Sequence, residues 1–163
     1  MALSERRVTV GAVRNGNGLI ALRPYRRNEK IIKLTGRVVH FQLLWERRGT
    51  FADNCIRFGP ETYLDPGDAY GRYLNHCCEP NAAIRKELNQ LFLVAASPIR
   101  RGDEVVIDYS TTIGDDDVWT MRCNCGSASC RKRIRRFGTL PAALRTEYLR
   151  RGLVPGFVRR TLA

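Results

Sequence analysis

Short apolar runs separated by Gly, Pro and Asn make up the first two thirds of the chain. Each run has the length of a strand, about 4–7 residues, and turn signals such as NGNG, LDPGD and IRRGDE lie between them. The runs are RVTVGAV (7–13), GLIAL (18–22), KIIKL (30–34), GRVVHF (36–41), NCIRF (54–58), LFLVAA (91–96) and EVVIDY (104–109). They predict a mainly β fold, in which only FQLLWERRGTF (41–51) has helical character.

The end of the chain has a different pattern. In TLPAALRTEYLRRG (139–152), Leu140, Leu144 and Tyr148 recur at four-residue spacing, Pro141 stands near the start and Gly152 at the end. This arrangement predicts a helix. Because long helices do not alternate with the strands, a doubly wound sheet is excluded. The sequence divides into a β block (7–112), a Cys-rich segment (113–138) and a basic helix with its tail (139–163).

Length and composition narrow the class of protein. A chain of 163 residues is long enough for one domain with a real core. No apolar run reaches the ~18 residues of a membrane span, so no membrane partner is expected. The N-terminal segment lacks the apolar core of a signal peptide, which predicts an intracellular protein. Thiols are then reduced, so the six Cys are metal ligands or core residues rather than disulfides.

The net charge of +12 comes mainly from Arg. Such a charge favours acidic partners or nucleic acid, although a solvated Arg-rich surface is the preferred explanation. The basic residues concentrate in CRKRIRRFG (130–138) and EYLRRGLVPGFVRR (147–160). No aromatic stripe accompanies them, which argues against a stacking platform for single strands.

Three cysteines lie within CNCGSASC, at Cys123, Cys125 and Cys130. This spacing supplies three of the four thiolates of a tetrahedral Zn²⁺ site, whereas three core residues so close together are hard to explain. The fourth ligand comes from elsewhere, and Cys77 and Cys78 are the candidates. A metal bridging these segments would close a long loop and tie the tail to the body.

Both candidates lie in GRYLNHCCEPN (71–81), directly after His76. A nucleophile with its base is disfavoured here because adjacent side chains rarely align and no third, orienting residue is evident. A disulfide between neighbouring Cys77 and Cys78 is strained. A metal site and a turn that needs small polar residues are the interpretations left open at this point.

Four motifs in this order, GNG, YLNHCCEPN, GDEVVIDY and CNCGSASCRKRI, resemble the SET-domain protein-lysine N-methyltransferases. The resemblance covers about residues 7–138 and is closest to a compact form with a post-SET zinc segment. It implies a SET-domain fold of several small sheets, with a knot-like crossing of residues 72–81 beside 99–109. The SET domain is then 7–112 and the post-SET segment 113–138, followed by the C-terminal helix. Asp108 is expected to stabilise the crossing.

The resemblance also implies site residues. Tyr109 takes the place of the catalytic tyrosine. The residues implied to bind S-adenosylmethionine are Gly16, Asn17, Gly18, Arg72, Tyr73, Asn75, His76 and Tyr109. The implied Zn²⁺ ligands are Cys78, Cys123, Cys125 and Cys130, with Arg131, Lys132 and Arg133 offsetting the thiolate charge.

The sequence departs from the family pattern at several positions. Asn17 replaces a frequent Trp and removes a stacking surface over the cofactor. Leu34 replaces a Tyr, so one hydroxyl of the site is missing. Ile107 replaces the Phe or Tyr two residues before the catalytic Tyr, which implies a looser site that permits more than one methyl. Cys77 occupies the position of a Ser.

The predicted function is therefore methyl transfer to a lysine of a basic protein such as a histone, in the cytoplasm of a bacterium or the nucleus of a eukaryote. The alternative is a catalytically impaired, zinc-stabilised SET-fold binding module for nucleic acid, which the basic tail would contact. Trp119 is either a wall of the substrate channel or a packing anchor. The acidic run at 115–117 either attracts a basic substrate or is a solvated loop.

Overall fold

The computed structural model describes residues 7–46 and 54–162. We describe twelve short strands and three helices within these ranges. The strands are β1 Val8–Val13, β2 Gly16–Ala21, β3 Lys30–Leu34, β4 Arg37–His40, β5 Ile56–Arg57, β6 Thr62–Asp65, β7 Asn75–His76, β8 Ala82–Glu87, β9 Gln90–Ala95, β10 Glu104–Ile107, β11 Met121–Arg122 and β12 Arg133–Ile134. The helices are α1 Phe41–Glu46, α2 Ala142–Arg150 and α3 Gly156–Arg159.

The strands form four small sheets rather than one large one. Their orders are β1-β2-β10-β7, β3-β9-β8, β4-β6-β5 and β11-β12. Neighbouring strands pair antiparallel, except that β10 and β7 pair parallel. These two strands are far apart in the sequence. This parallel pair brings two distant motifs side by side, and it positions the site described below.

Each of the seven predicted runs contains a strand, so the mainly β prediction is confirmed. The EVVIDY strand ends at Ile107, two residues before Tyr109, which begins a 3₁₀ turn, Tyr109–Thr112. Five strands were not predicted, β6, β7, β8, β11 and β12. Three of these have only two residues, too few for a hydrophobic period to show. Residues 47–51 of the predicted helical stretch lie outside the described residues.

The C-terminal helix is confirmed as α2, but it begins at Ala142 because Phe137–Thr139 forms a separate 3₁₀ turn. After Gly152, whose φ of 67° reverses the chain, α3 follows as a helix that the sequence did not predict. The four apolar residues Leu153, Val154, Phe157 and Val158 are buried in the same core as the strands. The terminal segment is thus packed into the β core, while the segment boundaries 7–112, 113–138 and 139–163 stay a prediction.

A second, smaller apolar cluster joins residues 113–134 to the strand pair β7–β10. It consists of Cys78, Ile113, Cys123 and Ile134. Within residues 7–46 and 54–162, no helix is long and apolar enough to cross a bilayer.

Candidate active site and metal centre

Strands β7 and β10 form the predicted crossing, with Asn75 opposite Val106 and His76 opposite Ile107. Asn81 fastens it, because its amide nitrogen donates to the Glu104 carbonyl at 2.8 Å and its amide oxygen accepts from the Val106 N–H at 2.9 Å. The motif residues 75–81 therefore lie directly beside the strand that leads to Tyr109.

The glycine turn, residues 16–18, lies beside the same crossing, because β2 pairs with β10 on the side opposite β7. The Asn75 amide donates to the Asn17 carbonyl at 3.0 Å and to Glu104 Oε1 at 2.8 Å. A Cβ at Gly18 would collide with the side chains of Glu104, Val13 and Asn75. Residues 16–18 and Asn75 thus form a strip in which the missing side chain of Gly18 lets Glu104, Val13 and Asn75 pack against the turn, and a cofactor role for this strip stays a prediction.

His76 is buried and lies between the crossing and the cysteines. Its Nδ1 accepts from the backbone N–H of Tyr109 at 3.1 Å, and its Nε2 lies 3.3 Å from Cys78 Sγ. Because a backbone N–H only donates, the proton of the neutral ring is assigned to Nε2, which donates to the sulfur. Burial lowers the pKa of His76 to about 4, against the opposing charge of Asp108, so the ring is neutral.

Tyr109 stands where the crossing meets a cavity. Its hydroxyl donates to the Leu74 carbonyl at 2.6 Å, and its ring centroid lies 5.3 Å from that of His76 and 6.2 Å from that of Trp119. Burial, with a contribution from the charge of Glu104, raises the pKa of Tyr109 to about 12. The hydroxyl therefore stays protonated at neutral pH.

The cavity has a volume of about 580 Å³. Around Tyr109 its lining is apolar and comprises Leu74, Ile84, Ile107, Ile113 and Trp119. Trp119 lines the cavity and packs against the smaller apolar cluster, which confirms its packing role, whereas its place in the wall of a substrate channel stays a prediction. Of the described residues, Leu34 is not among those that line the cavity, and its side chain is buried in the main core.

The predicted cofactor residues Arg72 and Tyr73 lie on the cavity and core side of the crossing. Arg72 lines the cavity, and its Nη1 is 3.5 Å from Asp68 Oδ1. Tyr73 is partly buried and packs against the main core. The hydrogen bonds that join residues 16–18 to the crossing come instead from Asn75, and a cofactor role for Arg72 and Tyr73 stays a prediction.

The acidic run is neither freely solvated nor unpartnered. The two oxygens of Asp116 accept from the two terminal nitrogens of Arg57 at 2.6 Å each. Asp117 accepts from the Tyr63 hydroxyl at 2.9 Å and from the Trp119 N–H at 2.9 Å. These contacts fix residues 116–119 as one wall of the cavity, and no local sequence signal pointed to Arg57 or Tyr63.

The cysteines gather beside this site. Among the described residues, the donor atoms of His76, Cys78, Cys123 and Cys125 lie within 4.8 Å of one another, and Cys130 Sγ lies 3.6 Å from Cys123 Sγ. These are five candidate ligands, one more than tetrahedral Zn²⁺ needs. Because Nε2 of His76 carries a proton, the ring is better suited to donate to Cys78 than to bind a cation. The four thiols, a soft donor set, fit tetrahedral Zn²⁺.

The surroundings of Cys78 supply hydrogen-bond donors to its sulfur. Its sulfur receives the Arg131 backbone N–H at 3.4 Å as well as the His76 contact. Burial raises the pKa of Cys78 to about 11, so a cation is needed to hold it as a thiolate. Cys77 Sγ accepts from the Glu79 N–H at 3.4 Å, and its side chain also contacts those of Cys125 and Ser127. The guanidinium of Arg131, expected to offset thiolate charge, contacts Asp108.

Comparison with known proteins agrees with this geometry. Residues 16–110, more than half of the chain, match the SET domain. An H3 lysine-4 specific histone-lysine N-methyltransferase of Mycosarcoma maydis is 31% identical over 127 residues, covering 71% of this chain and 9% of that protein. Histone-lysine N-methyltransferase 2B of Homo sapiens is 31% identical over 131 residues, covering 72% of this chain and 5% of that protein.

The fold is also that of a solved structure, KRYPTONITE in complex with mCHG DNA and SAH. The TM-score is 0.63 at 21% identity, over 80% of this chain and 29% of that chain. The chain spans only a small part of the length of the relatives that it matches. With the matched domain, the crossing and the small sheets in agreement, the chain belongs to the SET domain family.

Proposed function

We propose that the protein is a protein-lysine N-methyltransferase that uses S-adenosylmethionine. The position of Tyr109 carries this proposal. Its backbone N–H donates to His76, which follows Asn75 and so lies next to the strip of residues 16–18 and Asn75. Tyr109 also lines the cavity. One residue thus separates a candidate cofactor site from a candidate lysine site, as transfer between two ligands requires.

The cofactor would lie on residues 16–18, Asn75 and His76, and it supplies a methyl group on a cationic sulfonium. The attacking lysine must be neutral, although its ordinary pKa is about 10.4. The apolar lining formed by Leu74, Ile107 and Trp119 disfavours the ammonium form, because burial in such surroundings penalises charge. Burial in the cavity therefore lowers the pKa of the amine, so that its proton is released to solvent before the transfer and no general base is needed in the site.

Tyr109 orients the reacting groups. Its O–H is committed to the Leu74 carbonyl, so the lone pairs of the hydroxyl oxygen remain for the amine and for weak C–H···O contacts with the methyl group. Since the hydroxyl stays protonated, Tyr109 acts through position and electrostatics. Ile107 lines the cavity and has no hydrogen-bonding group, which supports transfer of more than one methyl.

The substrate is a lysine in a basic protein, of which a histone is the leading example. The two relatives described above are histone-lysine N-methyltransferases. In this chain, the acidic groups of Glu61, Asp116 and Asp117 line the cavity and favour basic residues near the target lysine.

A second partner, nucleic acid, is favoured by the β11–β12 ribbon. There Arg122 lies directly opposite Arg133, and both are exposed. Like charges at facing positions destabilise a strand pair unless an anion lies between them. Binding to DNA phosphates would relieve this repulsion, and the ribbon would then add to the basic tail, on which the binding-module alternative rests.

Transfer of a labelled methyl group from S-adenosylmethionine to a mixture of basic proteins, including histones, tests the proposed activity. We expect incorporation with the wild type and none above background with Tyr109→Phe. Tyr25→Phe is the matched control, because Tyr25 is buried and its hydroxyl donates to the Arg7 carbonyl at 2.6 Å, outside this site. Equal background with wild type and Tyr109→Phe would exclude the enzyme and leave the binding module.

A further inference from the structure

The carboxylate of Asp108 is fully buried, and three groups donate to it, one from its own turn and two from distant segments. Arg131 of the post-SET segment approaches both oxygens at 2.7 Å. The N–H of Ser110 donates to Oδ1 at 3.0 Å, and the hydroxyl of Tyr148, on helix α2, donates to Oδ2 at 3.0 Å. A buried carboxylate is stable only when its oxygens are paired, so all three donors contribute to its position.

That position matters because Asp108 directly precedes Tyr109. Its Oδ1 lies 3.5 Å from Nδ1 of His76, the atom that accepts the Tyr109 N–H. Asp108 also caps the 3₁₀ turn that Tyr109 begins. A shift of the carboxylate would therefore move the turn, the histidine ring and the tyrosine together.

Tyr148 is suited to hold the carboxylate. Its side chain is buried, and it comes from a helix that lies beyond the matched domain, residues 16–110. Burial and the charge of Asp108 raise the pKa of Tyr148 above its usual range, so its hydroxyl remains a donor. Arg131 supplies charge from one side, and Tyr148 is the contact that reaches Asp108 from helix α2.

We propose that Tyr148 is a positioning residue for the methyl transfer, acting on Tyr109 through Asp108, and that helix α2 is part of the active site rather than an appendage. This inference rests on the proposed function and extends it. Tyr148 touches neither substrate nor cofactor; it fixes the residue that aligns them.

The test compares Tyr148→Phe, which keeps the ring and removes the hydroxyl, with Tyr25→Phe as the matched loss of a buried tyrosine hydroxyl. We expect kcat to fall about tenfold in Tyr148→Phe with KM nearly unchanged, because a hydrogen bond to a charged group is lost. In an Asp108→Asn background, Tyr148→Phe should have little further effect, since the two residues act through one contact. A purely structural role would lower the melting temperature and leave kcat unchanged well below it.

A second measurement does not depend on turnover. In ¹³C-tyrosine-labelled protein, the ring signals of Tyr109, assigned with Tyr109→Phe, should shift in Tyr148→Phe and stay in place in Tyr25→Phe. Unshifted signals would overturn the inference even if the wild type proved inactive. An active wild type with full activity in Tyr148→Phe would overturn the inference alone, whereas an inactive wild type would overturn the proposed function.

Discussion

One nitrogen of Arg131, Nη2, lies 2.7 Å from each carboxylate oxygen of Asp108. The backbone N–H of the same arginine donates to Cys78 Sγ at 3.4 Å. Because Arg131 directly follows Cys130, one residue joins the cysteine cluster to the turn that carries Tyr109. Loss of a metal bound by the cysteines would therefore displace the turn that carries Tyr109 and would also destabilise the tail.

The first prediction concerns which neighbouring cysteine binds zinc. We expect the wild type to bind about one Zn²⁺ per chain, Cys78→Ser to lose it and Cys77→Ser to keep it, since Cys78 lies within the donor group. Cys55→Ser is the control, as Cys55 lines the cavity and not the cluster. Elemental analysis of purified protein measures the content. Zinc retained by Cys78→Ser and lost by Cys77→Ser would reverse the assignment.

The second prediction separates Cys130 from His76 as the fourth ligand. We expect Cys130→Ser to lose zinc, and His76→Gln to retain it, because the Nε2 proton of His76 makes the ring a donor to Cys78. The measurement is zinc content after dialysis against a weak chelator. Loss of zinc from His76→Gln with full content in Cys130→Ser would mean that His76 ligates the metal.

The third prediction concerns the glycine strip. In Gly18→Ala the new methyl group would displace Glu104 and Asn75, which close the strip, so we expect affinity for S-adenosylhomocysteine to fall at least about tenfold. Gly11→Ala, which meets only Ile20 Cγ1 at 3.1 Å, is the control on the neighbouring strand. Calorimetric titration gives both affinities. Unchanged binding in Gly18→Ala would place the cofactor elsewhere.

The fourth prediction is a pH dependence of stability. Hydrogen bonds from Arg57 hold the pKa of Asp116 below its usual range, so the pair stabilises the fold above the unfolded pKa and this contribution is lost as pH falls through the lower, folded pKa. We expect Asp116→Ala to lose about 1 kcal/mol at pH 7, a modest figure because Asp116 is half exposed. Urea unfolding should show the two proteins converging in strongly acidic solution. A difference that stays constant with pH would contradict the assignment.

The fifth prediction concerns nucleic acid. We expect duplex DNA to bind with an affinity that falls steeply with salt, and replacement of Arg122 and Arg133 by Ser to reduce the slope of log K against log salt by about two. Replacement of the exposed residues Arg100 and Arg101, before β10, by Ser provides a control that removes the same charge. Gel shifts at several salt concentrations measure the slope. A slope unaffected by the double substitution would remove the ribbon from the contact.

Much of the fold followed from local patterns. The seven apolar runs, the turn residues between them and the four-residue spacing before Gly152 predicted strands and a terminal helix, because each depends on neighbours in sequence. Strands such as β7 escaped prediction, since two residues have no period and Asn75 pairs with Val106 only across the crossing. That pairing is decided by tertiary contacts alone.

For the site, the sequence by itself determined the chemistry, and the tertiary structure decided the partners. The motifs supplied Tyr109, Asn75 and the cysteines, because these residue types recur at spacings that carry chemistry. They carried no sign that Tyr148, forty residues beyond Asp108, would complete the pairing of its carboxylate. The physical reason is that a buried carboxylate is satisfied by whichever donors the packing brings to it, and packing is a property of the whole core.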